Sequence, residues 1–176
     1  MTKIIDTLTE QVAEQGLQSL SENLFDLYNN NSLEYLKKIC IICISNLGKT
    51  MESIINQKLI PVALRSSYKS AENILIQSDK NSNEPQLFVC ELNSSIKDKQ
   101  VFLVDAVIST GSVAIMAIKV LLDHNVKEEN ITFLSLLSSP KGLYMISKTF
   151  PKIKIITLNI DPIYEDNSNP FNIITY

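Results

Sequence analysis

The sequence predicts an α/β fold in which helices cover both faces of a doubly wound parallel sheet. Short continuous apolar runs, such as the one from Ile39 to Ser45, indicate strands that are buried on both faces. From Gln100 onward these runs alternate with segments of helical periodicity, which predicts crossover units between parallel strands. The chain has 176 residues, of which 45% are hydrophobic. We therefore expect a single domain over residues 1–176, because this length suits one ordinary domain and not two.

Residues 1–38 predict helices that pack against the core. Apolar residues recur at helical spacing from Ile4 to Tyr28, and Gly16 is expected to divide this stretch into two helices. After the polar interruption from Asn29 to Ser32, the segment from Leu33 to Lys38 predicts another short helix.

Residues 39–162 predict the α/β core, and residues 163–176 form a C-terminal tail. The predicted strands are Ile39–Ser45, Leu59–Leu64, Ile74–Gln77, Leu87–Leu92, Val101–Val104, Ile131–Leu137 and Ile153–Ile160. The predicted helices are Thr50–Asn56, Val113–Asp123 and Gly142–Phe150. A polar loop from Ser78 to Pro85 lies between the third and fourth strands.

Charge and composition exclude several classes of function. The chain has 16 basic and 19 acidic residues, a net charge of −3, so it has no broad positive field for nucleic acid. It has no export signal and no run of about 18 apolar residues, so we expect a soluble, cytoplasmic protein that does not enter membranes. Three cysteines and the single histidine, His124, predict reduced thiols and no metal site.

The most informative segment is the loop after the Val101–Val104 strand, which comprises Asp105, Ala106, Val107, Ile108, Ser109, Thr110, Gly111 and Ser112. In an open parallel sheet, functional loops lie at the carboxyl ends of the strands. Backbone N–H groups, the hydroxyl groups of this loop and the dipole of the following helix can converge on a phosphate. Asp105 would then accept hydrogen bonds from sugar hydroxyls, and together these groups predict a cradle for ribose 5-phosphate. The simpler alternative is a helix N-cap at Ser112 beside a strand-terminal aspartate.

The segment from Val101 to Ser112 resembles the phosphoribosyl-pyrophosphate loop of type I phosphoribosyltransferases. Further segments resemble one branch of them, uracil phosphoribosyltransferase, over about Ile39 to Pro162, as a divergent and shortened member. These segments are Ile74-Leu75-Ile76-Gln77, Glu84-Pro85-Gln86-Leu87, Val126-Lys127-Glu128-Glu129-Asn130-Ile131, Ser139-Pro140-Lys141-Gly142, Phe150-Pro151 and Ile160-Asp161-Pro162.

The resemblance implies a Rossmann-like parallel sheet with flanking helices and a small hairpin hood, and a homodimer. It also implies transfer of ribose 5-phosphate from phosphoribosyl pyrophosphate to uracil, with Mg²⁺ bound when phosphoribosyl pyrophosphate is bound. Residues 105–112 would hold ribose and phosphate, and Asp105 would be the catalytic residue. Ile160 and Asp161 would bind the uracil base. Mg²⁺ and arginines would offset the negative charge of the departing pyrophosphate.

The sequence departs from the family where that pyrophosphate is held. Family members have an Arg-Ala-Gly loop, but here the arginine is replaced by Asn46, although Gly48 and Thr50-Met51-Glu52 remain. A second arginine, after Ile-Leu-Ile-Gln, is replaced by Ser78. Lys49 and Lys80 lie close in sequence and can supply charge, but a lysine cannot reproduce the bidentate guanidinium fork.

A third departure concerns recognition of the base. The family has a glycine-rich loop after the Asp-Pro element that reads the uracil edge, whereas no glycine follows Gly142 here. We therefore expect a catalytically degenerate protein that binds a phosphorylated ribose, such as phosphoribosyl pyrophosphate or UMP, or a protein partner. The alternatives are an active transferase in pyrimidine salvage that uses Lys49 and Lys80, with uracil or another base, and a structural subunit without a ligand.

Two other features predict structural roles. Cys40 and Cys43 have Cys-x-x-Cys spacing, but they lie inside an apolar strand, which favours the core over redox chemistry. His124 follows the helix of the phosphate loop, where a polar cap is expected.

Overall fold

A computed structural model describes residues 2–70, 72–79, 82 and 84–161 of the chain. The helices are α1 (Thr2–Gln18), α2 (Glu22–Asn29), α3 (Leu33–Lys38), α4 (Asn46–Leu59), α5 (Ser112–Asp123) and α6 (Pro140–Thr149). The strands are β1 (Ile39–Cys43), β2 (Asn73–Ser78), β3 (Pro85–Glu91), β4 (Gln100–Val104), β5 (Val107–Ile108), β6 (Ile131–Ser138) and β7 (Lys154–Ile160). No helix among these described residues is long and apolar enough to cross a membrane.

Five strands form a parallel sheet, which confirms the predicted fold class. β4 pairs with β1 and with the first half of β6, while β6 also pairs with β7 and, near its end, with β5. β2 and β3 form a separate antiparallel hairpin. The hairpin joins the end of β1 through the Ile76 amide, which donates to the Ile44 carbonyl at 3.0 Å. The hairpin therefore lies beside the end of β1, where the predicted site residues follow.

The core has two layers, one on each face of the sheet, as a doubly wound fold requires. Cys40, Ile42 and Ile44 belong to one buried cluster together with residues of α5 and α6. Ile41 and Cys43 belong to the other, together with residues of α1 and α4. Alternate residues of β1 thus face opposite layers, so the continuous apolar run reflects burial on both faces.

Two sequence predictions about element boundaries are wrong. Gly16 lies inside α1 and does not end it; a Cβ atom there would lie 3.2 Å from Leu134 Cδ2, so the glycine lets the helix lie close to the sheet. The predicted strand Leu59–Leu64 contains the last residue of α4 and a 3₁₀ turn over Val62–Leu64. Leu59, Ile60 and Leu64 are buried by packing in the second core layer and not by strand pairing, whereas Val62 is exposed.

Candidate functional site

The site lies where β1 and β4 end and where the tip of β2 approaches them. Helix α4 begins immediately after Ser45, four residues earlier than the predicted start at Thr50. The Ile44 amide donates to the Val104 carbonyl at 3.1 Å, which continues the pairing of β1 and β4 to the point where Asp105 begins the loop. The carboxyl ends of neighbouring strands thus bring Ser45 and Asp105 together, as the predicted topology requires.

The loop from Asp105 to Ser112 is tightly built. Val107 and Ile108 form the short strand β5, which the sequence did not reveal, and Gly111 is the N-cap of α5 with a φ of 82°. That left-handed conformation favours glycine. The alternative of an N-cap at Ser112 is therefore wrong, because Ser112 is the first residue of the helix.

The hydroxyl groups of the loop border a cavity at the N-terminus of α5. Thr110 Oγ1 lies 2.9 Å from Ser112 Oγ and accepts a hydrogen bond from the Ser112 amide at 3.3 Å. The cavity has a volume of about 170 Å³ and is lined by Ser109, Thr110, Gly111 and Ser112, with Asp105 and Ser78 at its edge. Hydroxyls and the positive end of a twelve-residue helix are suited to an anion.

Asp105 is buried, with 7% of its surface exposed. Burial raises the pKa of its carboxyl group to about 6, although hydrogen bonds from the Ser45 hydroxyl and from the Ala106 and Val107 amides lower it. The Ser45 hydroxyl donates to Asp105 Oδ1 at 2.5 Å. Asp105 lines the cavity described above and a second one beside it, so its carboxylate can accept hydrogen bonds from a ligand in either.

The second cavity, of about 430 Å³, brings together the two positions at which the resemblance predicts a lost arginine. Asn46 and Ser78 both line it, beside Ser45 and Asp105. Among the described residues, no lysine or arginine lines either cavity. Among the described residues, every side chain that lines one or both of these cavities is therefore neutral, except that of Asp105.

The remaining predicted site residues lie elsewhere or fall outside the described part of the chain. Lys49 is exposed on the first turn of α4 and lines neither cavity. Ala106 packs against the second core cluster. Ile160 is the last residue of β7 and Asp161 follows it; neither lines a cavity described above, although the Asp161 amide donates to the Ser138 carbonyl at 2.9 Å. Lys80 and the tail 163–176 lie outside the described residues.

Gly48 has a steric role that the sequence analysis missed. A Cβ atom on Gly48 would lie 2.6 Å from the Val104 carbonyl oxygen, so only glycine lets α4 begin this close to β4. Ser45 was missed as well, because its contact with Asp105 joins residues that are 60 positions apart. Their spacing, Ser-x-x-Gly, is the signal that could have indicated them, since Ser45 caps α4 by accepting from the Gly48 amide.

The structural roles predicted for two other features are confirmed. Cys40 and Cys43 are buried in opposite core layers, so their thiols do not face each other. Burial also raises the pKa of the Cys43 thiol to about 12, which disfavours the reactive thiolate. His124 is the C-cap of α5, and its Nδ1 lies 2.7 Å from the Val120 carbonyl oxygen.

Solved structures of phosphoribosyltransferases share this fold. The hypoxanthine-guanine phosphoribosyltransferase of L. donovani superposes with a TM-score of 0.56 at 13% identity, over 88% of this chain and 81% of that one. The hypoxanthine phosphoribosyltransferase of Trypanosoma cruzi, in complex with the product IMP, gives a TM-score of 0.54 at 12% identity, over 78% and 70%. The fold is that of the type I phosphoribosyltransferases.

Sequence comparison narrows this class to one family. The family model for uracil phosphoribosyltransferase matches residues 3–170. The uracil phosphoribosyltransferases of Dictyostelium discoideum and Lachancea kluyveri are 32% and 36% identical over 163 residues, or 89% of this chain and 71% of each relative. Mouse uridine-cytidine kinase-like 1 is 39% identical over 127 residues, but the match covers 22% of its length. The chain belongs to the uracil phosphoribosyltransferase family.

Proposed function

We propose that the chain binds a phosphorylated ribose, such as ribose 5-phosphate or UMP, and that it is a poor transferase. One observation carries this proposal: a hydroxyl-lined cavity at the N-terminus of α5 lies beside a second cavity with no cationic side chain among the described residues. Such a pair of cavities suits a phosphate monoester and not a pyrophosphate.

The 5-phosphate would lie at the N-terminus of α5. The Thr110 and Ser112 hydroxyls and the first amides of the helix would donate to its oxygens, which needs no lysine or arginine. The positive φ of Gly111 directs the chain into the helix at this point. Since these groups are neutral, their hydrogen bonds and the helix dipole would supply the attraction.

The ribose would lie between the two cavities, where Asp105 can accept hydrogen bonds from its hydroxyls. Above pH 6 the Asp105 carboxyl is mostly ionised and can serve as an acceptor. The proton on the carboxyl below that pH would remove acceptor capacity. Ribose binding is therefore expected to weaken as the pH falls through about 6.

The pyrophosphate of phosphoribosyl pyrophosphate would face Asn46 and Ser78 in the second cavity. Neutral amide and hydroxyl groups cannot offset the charge that develops as pyrophosphate departs. The described residues also contain no group of three His, Cys, Asp or Glu side chains that could hold a metal ion. Any Mg²⁺ that accompanies phosphoribosyl pyrophosphate would then be held mainly by the pyrophosphate oxygens, because the described residues offer no such three-ligand site.

A second candidate is an active uracil phosphoribosyltransferase. The match of the family model to residues 3–170 favours it. In this case Lys49, on the first turn of α4, and Lys80 would turn toward the pyrophosphate when it binds. The two candidates differ in one measurable respect, because only the second predicts turnover of phosphoribosyl pyrophosphate with uracil.

Substitution of the phosphate-binding turn should abolish binding of ribose 5-phosphate and UMP. Thr110→Val removes a hydroxyl that faces the cavity, and Gly111→Val adds a strained φ and a Cβ atom 2.9 Å from the Gly142 carbonyl oxygen. Isothermal titration calorimetry should show binding to the wild-type chain and none to the double variant, with Thr110→Val alone at least about tenfold weaker.

Thr149→Val is the matched control for this experiment. Thr149 is exposed near the end of α6, where its hydroxyl donates to the Met145 carbonyl, so its loss should leave binding unchanged. A wild-type chain with no affinity for ribose 5-phosphate, UMP or phosphoribosyl pyrophosphate would refute the proposed function.

The hairpin is proposed to pair two chains. Leu87 and Phe88 on β3 are 43% and 58% exposed, which gives the hairpin an apolar surface. Light scattering at micromolar concentration should give the mass of a dimer, and Phe88→Glu should shift it toward the monomer. Leu33→Glu, at a similarly exposed position on α3, should leave the mass unchanged. A wild-type monomer under these conditions would contradict the proposal.

A further inference from the structure

Two helices that border the site begin with the same four-residue pattern. Ser45 precedes α4, with Gly48 in its first turn, and Ser139 precedes α6, with Gly142 in its first turn. In each case the serine Oγ accepts a hydrogen bond from the glycine amide, at 3.0 Å in α4 and 2.9 Å in α6. Each serine is thus the N-cap of its helix.

Each serine hydroxyl also contacts the loop from Asp105 to Ser112, Ser45 at its first residue and Ser139 at Ser109. Ser45 Oγ donates to Asp105 Oδ1, and Ser139 Oγ donates to the Ser109 carbonyl oxygen, both at 2.5 Å. Because a hydroxyl has a single proton, that proton is committed to the loop while the oxygen caps the helix. Each helix N-terminus is therefore linked to the loop through a single oxygen atom, α4 to Asp105 and α6 to Ser109.

The glycines make these contacts possible. A Cβ atom on Gly48 would lie 2.6 Å from the Val104 carbonyl oxygen, at the base of the loop. A Cβ atom on Gly142 would overlap the Ser109 carbonyl oxygen, the same atom that accepts from Ser139. Each helix can approach the loop this closely only because the third residue after its capping serine has no side chain.

We infer that Ser45 and Ser139 are separate positioning residues, Ser45 for the carboxylate that receives the ribose and Ser139 for the turn that receives the phosphate. This rests on the proposed function for the identity of the ligand. Neither serine needs to touch the phosphate, since each acts through Asp105 or Ser109. A simple structural role as helix caps would instead make the two residues equivalent toward every ligand.

The inference predicts that the two substitutions affect different ligands. Glycine is nearly as good an N-cap as serine, so Ser45→Gly and Ser139→Gly remove the hydroxyl while the helix start is kept. Ser45→Gly should weaken binding of ribose 5-phosphate by about tenfold at pH 7 and leave binding of inorganic phosphate within about twofold, because inorganic phosphate has no ribose hydroxyl to donate to Asp105. Ser139→Gly should weaken binding of both ligands by a similar factor. Ser45→Thr and Ser139→Thr, which keep the hydroxyl, should restore binding.

A second readout needs no ligand. The Ser45 hydroxyl lowers the pKa of Asp105, so its loss should move the titration of that carboxyl to higher pH. Among the described residues, Cys43 on β1 also interacts with Asp105 and lies under the influence of Lys49 and Glu52 on α4, but its thiol stays protonated below about pH 12. The Cys43 thiol therefore does not titrate near pH 6, and ¹³C NMR of the labelled Asp105 carboxyl group follows its titration directly.

Ser32→Gly is the control for both readouts. Ser32 caps α3 by accepting from the Glu34 amide and has no contact with the loop, so its variant should behave as wild type. A wild-type chain that binds neither ligand refutes the proposed function and leaves the Asp105 titration as the test of the Ser45 role. An unchanged Asp105 midpoint in Ser45→Gly, or equal losses for both ligands in both variants, overturns the inference. Should a glycine variant fail to fold, the alanine variant at the same position is measured in its place.

Discussion

Incubated with uracil and phosphoribosyl pyrophosphate, the chain is expected to form no measurable UMP under conditions where a family member with both arginines turns over readily. Removal of one preorganised electrostatic group costs roughly 10²-fold to 10³-fold in rate. Two such losses, at Asn46 and Ser78, would cost on the order of 10⁴-fold or more if their effects multiply. The two positions line one cavity, so both losses fall on the same leaving group.

Variants with arginine at positions 46 and 78 test whether the chain lacks only the positive charge that would hold pyrophosphate. Asn46→Arg with Ser78→Arg should strengthen binding of phosphoribosyl pyrophosphate without producing UMP, because residues 143–176 contain no glycine with which to form the family's base-reading loop. Radiolabelled uracil with product separation measures the conversion. UMP formation by the wild-type chain at a rate near that of the intact family would contradict this prediction and favour the active-transferase candidate.

Lys99→Ala is expected to destabilise the chain by about 3–5 kcal/mol, because it removes one partner of a buried ion pair. Lys99 Nζ lies 2.7 Å from Glu72 Oε1, and the two side chains are only 15% and 4% exposed. Glu72 immediately precedes β2 and Lys99 immediately precedes β4, so the pair joins the base of the hairpin to the main sheet. Urea unfolding monitored by circular dichroism measures the free energy of unfolding.

An exposed ion pair of the same length provides the control. Lys37 Nζ also lies 2.7 Å from Glu34 Oε1, but these side chains are 71% and 56% exposed, so Lys37→Ala should cost less than about 1 kcal/mol. Lys99→Met with Glu72→Leu should recover most of the loss, since an apolar pair of similar volume can replace a buried ion pair. Equal small losses for Lys99→Ala and Lys37→Ala would contradict the anchoring role.

The sheet was predictable because burial on both faces makes its central strands continuously apolar in sequence. Ile39–Cys43 and residues 101–104 of β4 are apolar throughout, since both faces of each strand are covered by helices. The same reasoning failed at Leu59–Leu64, where a helix end and a 3₁₀ turn bury Leu59, Ile60 and Leu64 in a single layer and leave Val62 exposed. A short apolar run reports burial, and periodicity over six residues cannot distinguish these conformations.

Gly16 shows a second limit of sequence analysis. A glycine within a helical pattern suggests a break because glycine disfavours helix. Here the helix continues, since the absence of a side chain lets α1 pack closely on Leu134 and Phe102 of the sheet. Close packing between distant segments is a tertiary effect that local propensity does not contain.

A hydroxyl-lined turn at the N-terminus of α5 was predictable from the residues of the loop itself, whereas the contacts that support the loop were not. Hydroxyl residues and a glycine between a strand and a helix indicate an anion site locally. The contacts of Ser45 with Asp105 and of Ser139 with Ser109 join segments that are 60 and 30 residues apart. The sequence contains both Ser-x-x-Gly patterns, but only the topology shows that they meet the same loop.

Calorimetric titration of one preparation with ribose 5-phosphate, UMP and phosphoribosyl pyrophosphate, each with and without Mg²⁺, tests the central claim most directly. We expect both monoesters to bind at least as tightly as phosphoribosyl pyrophosphate. The turn from Ser109 to Ser112 provides neutral hydroxyl and amide donors for one phosphate, while the second cavity lacks a described cationic side chain for the pyrophosphate. Phosphoribosyl pyrophosphate that binds at least about tenfold more tightly than ribose 5-phosphate when Mg²⁺ is present would contradict it, since the pyrophosphate would then have a binding site that Asn46 and Ser78 do not provide.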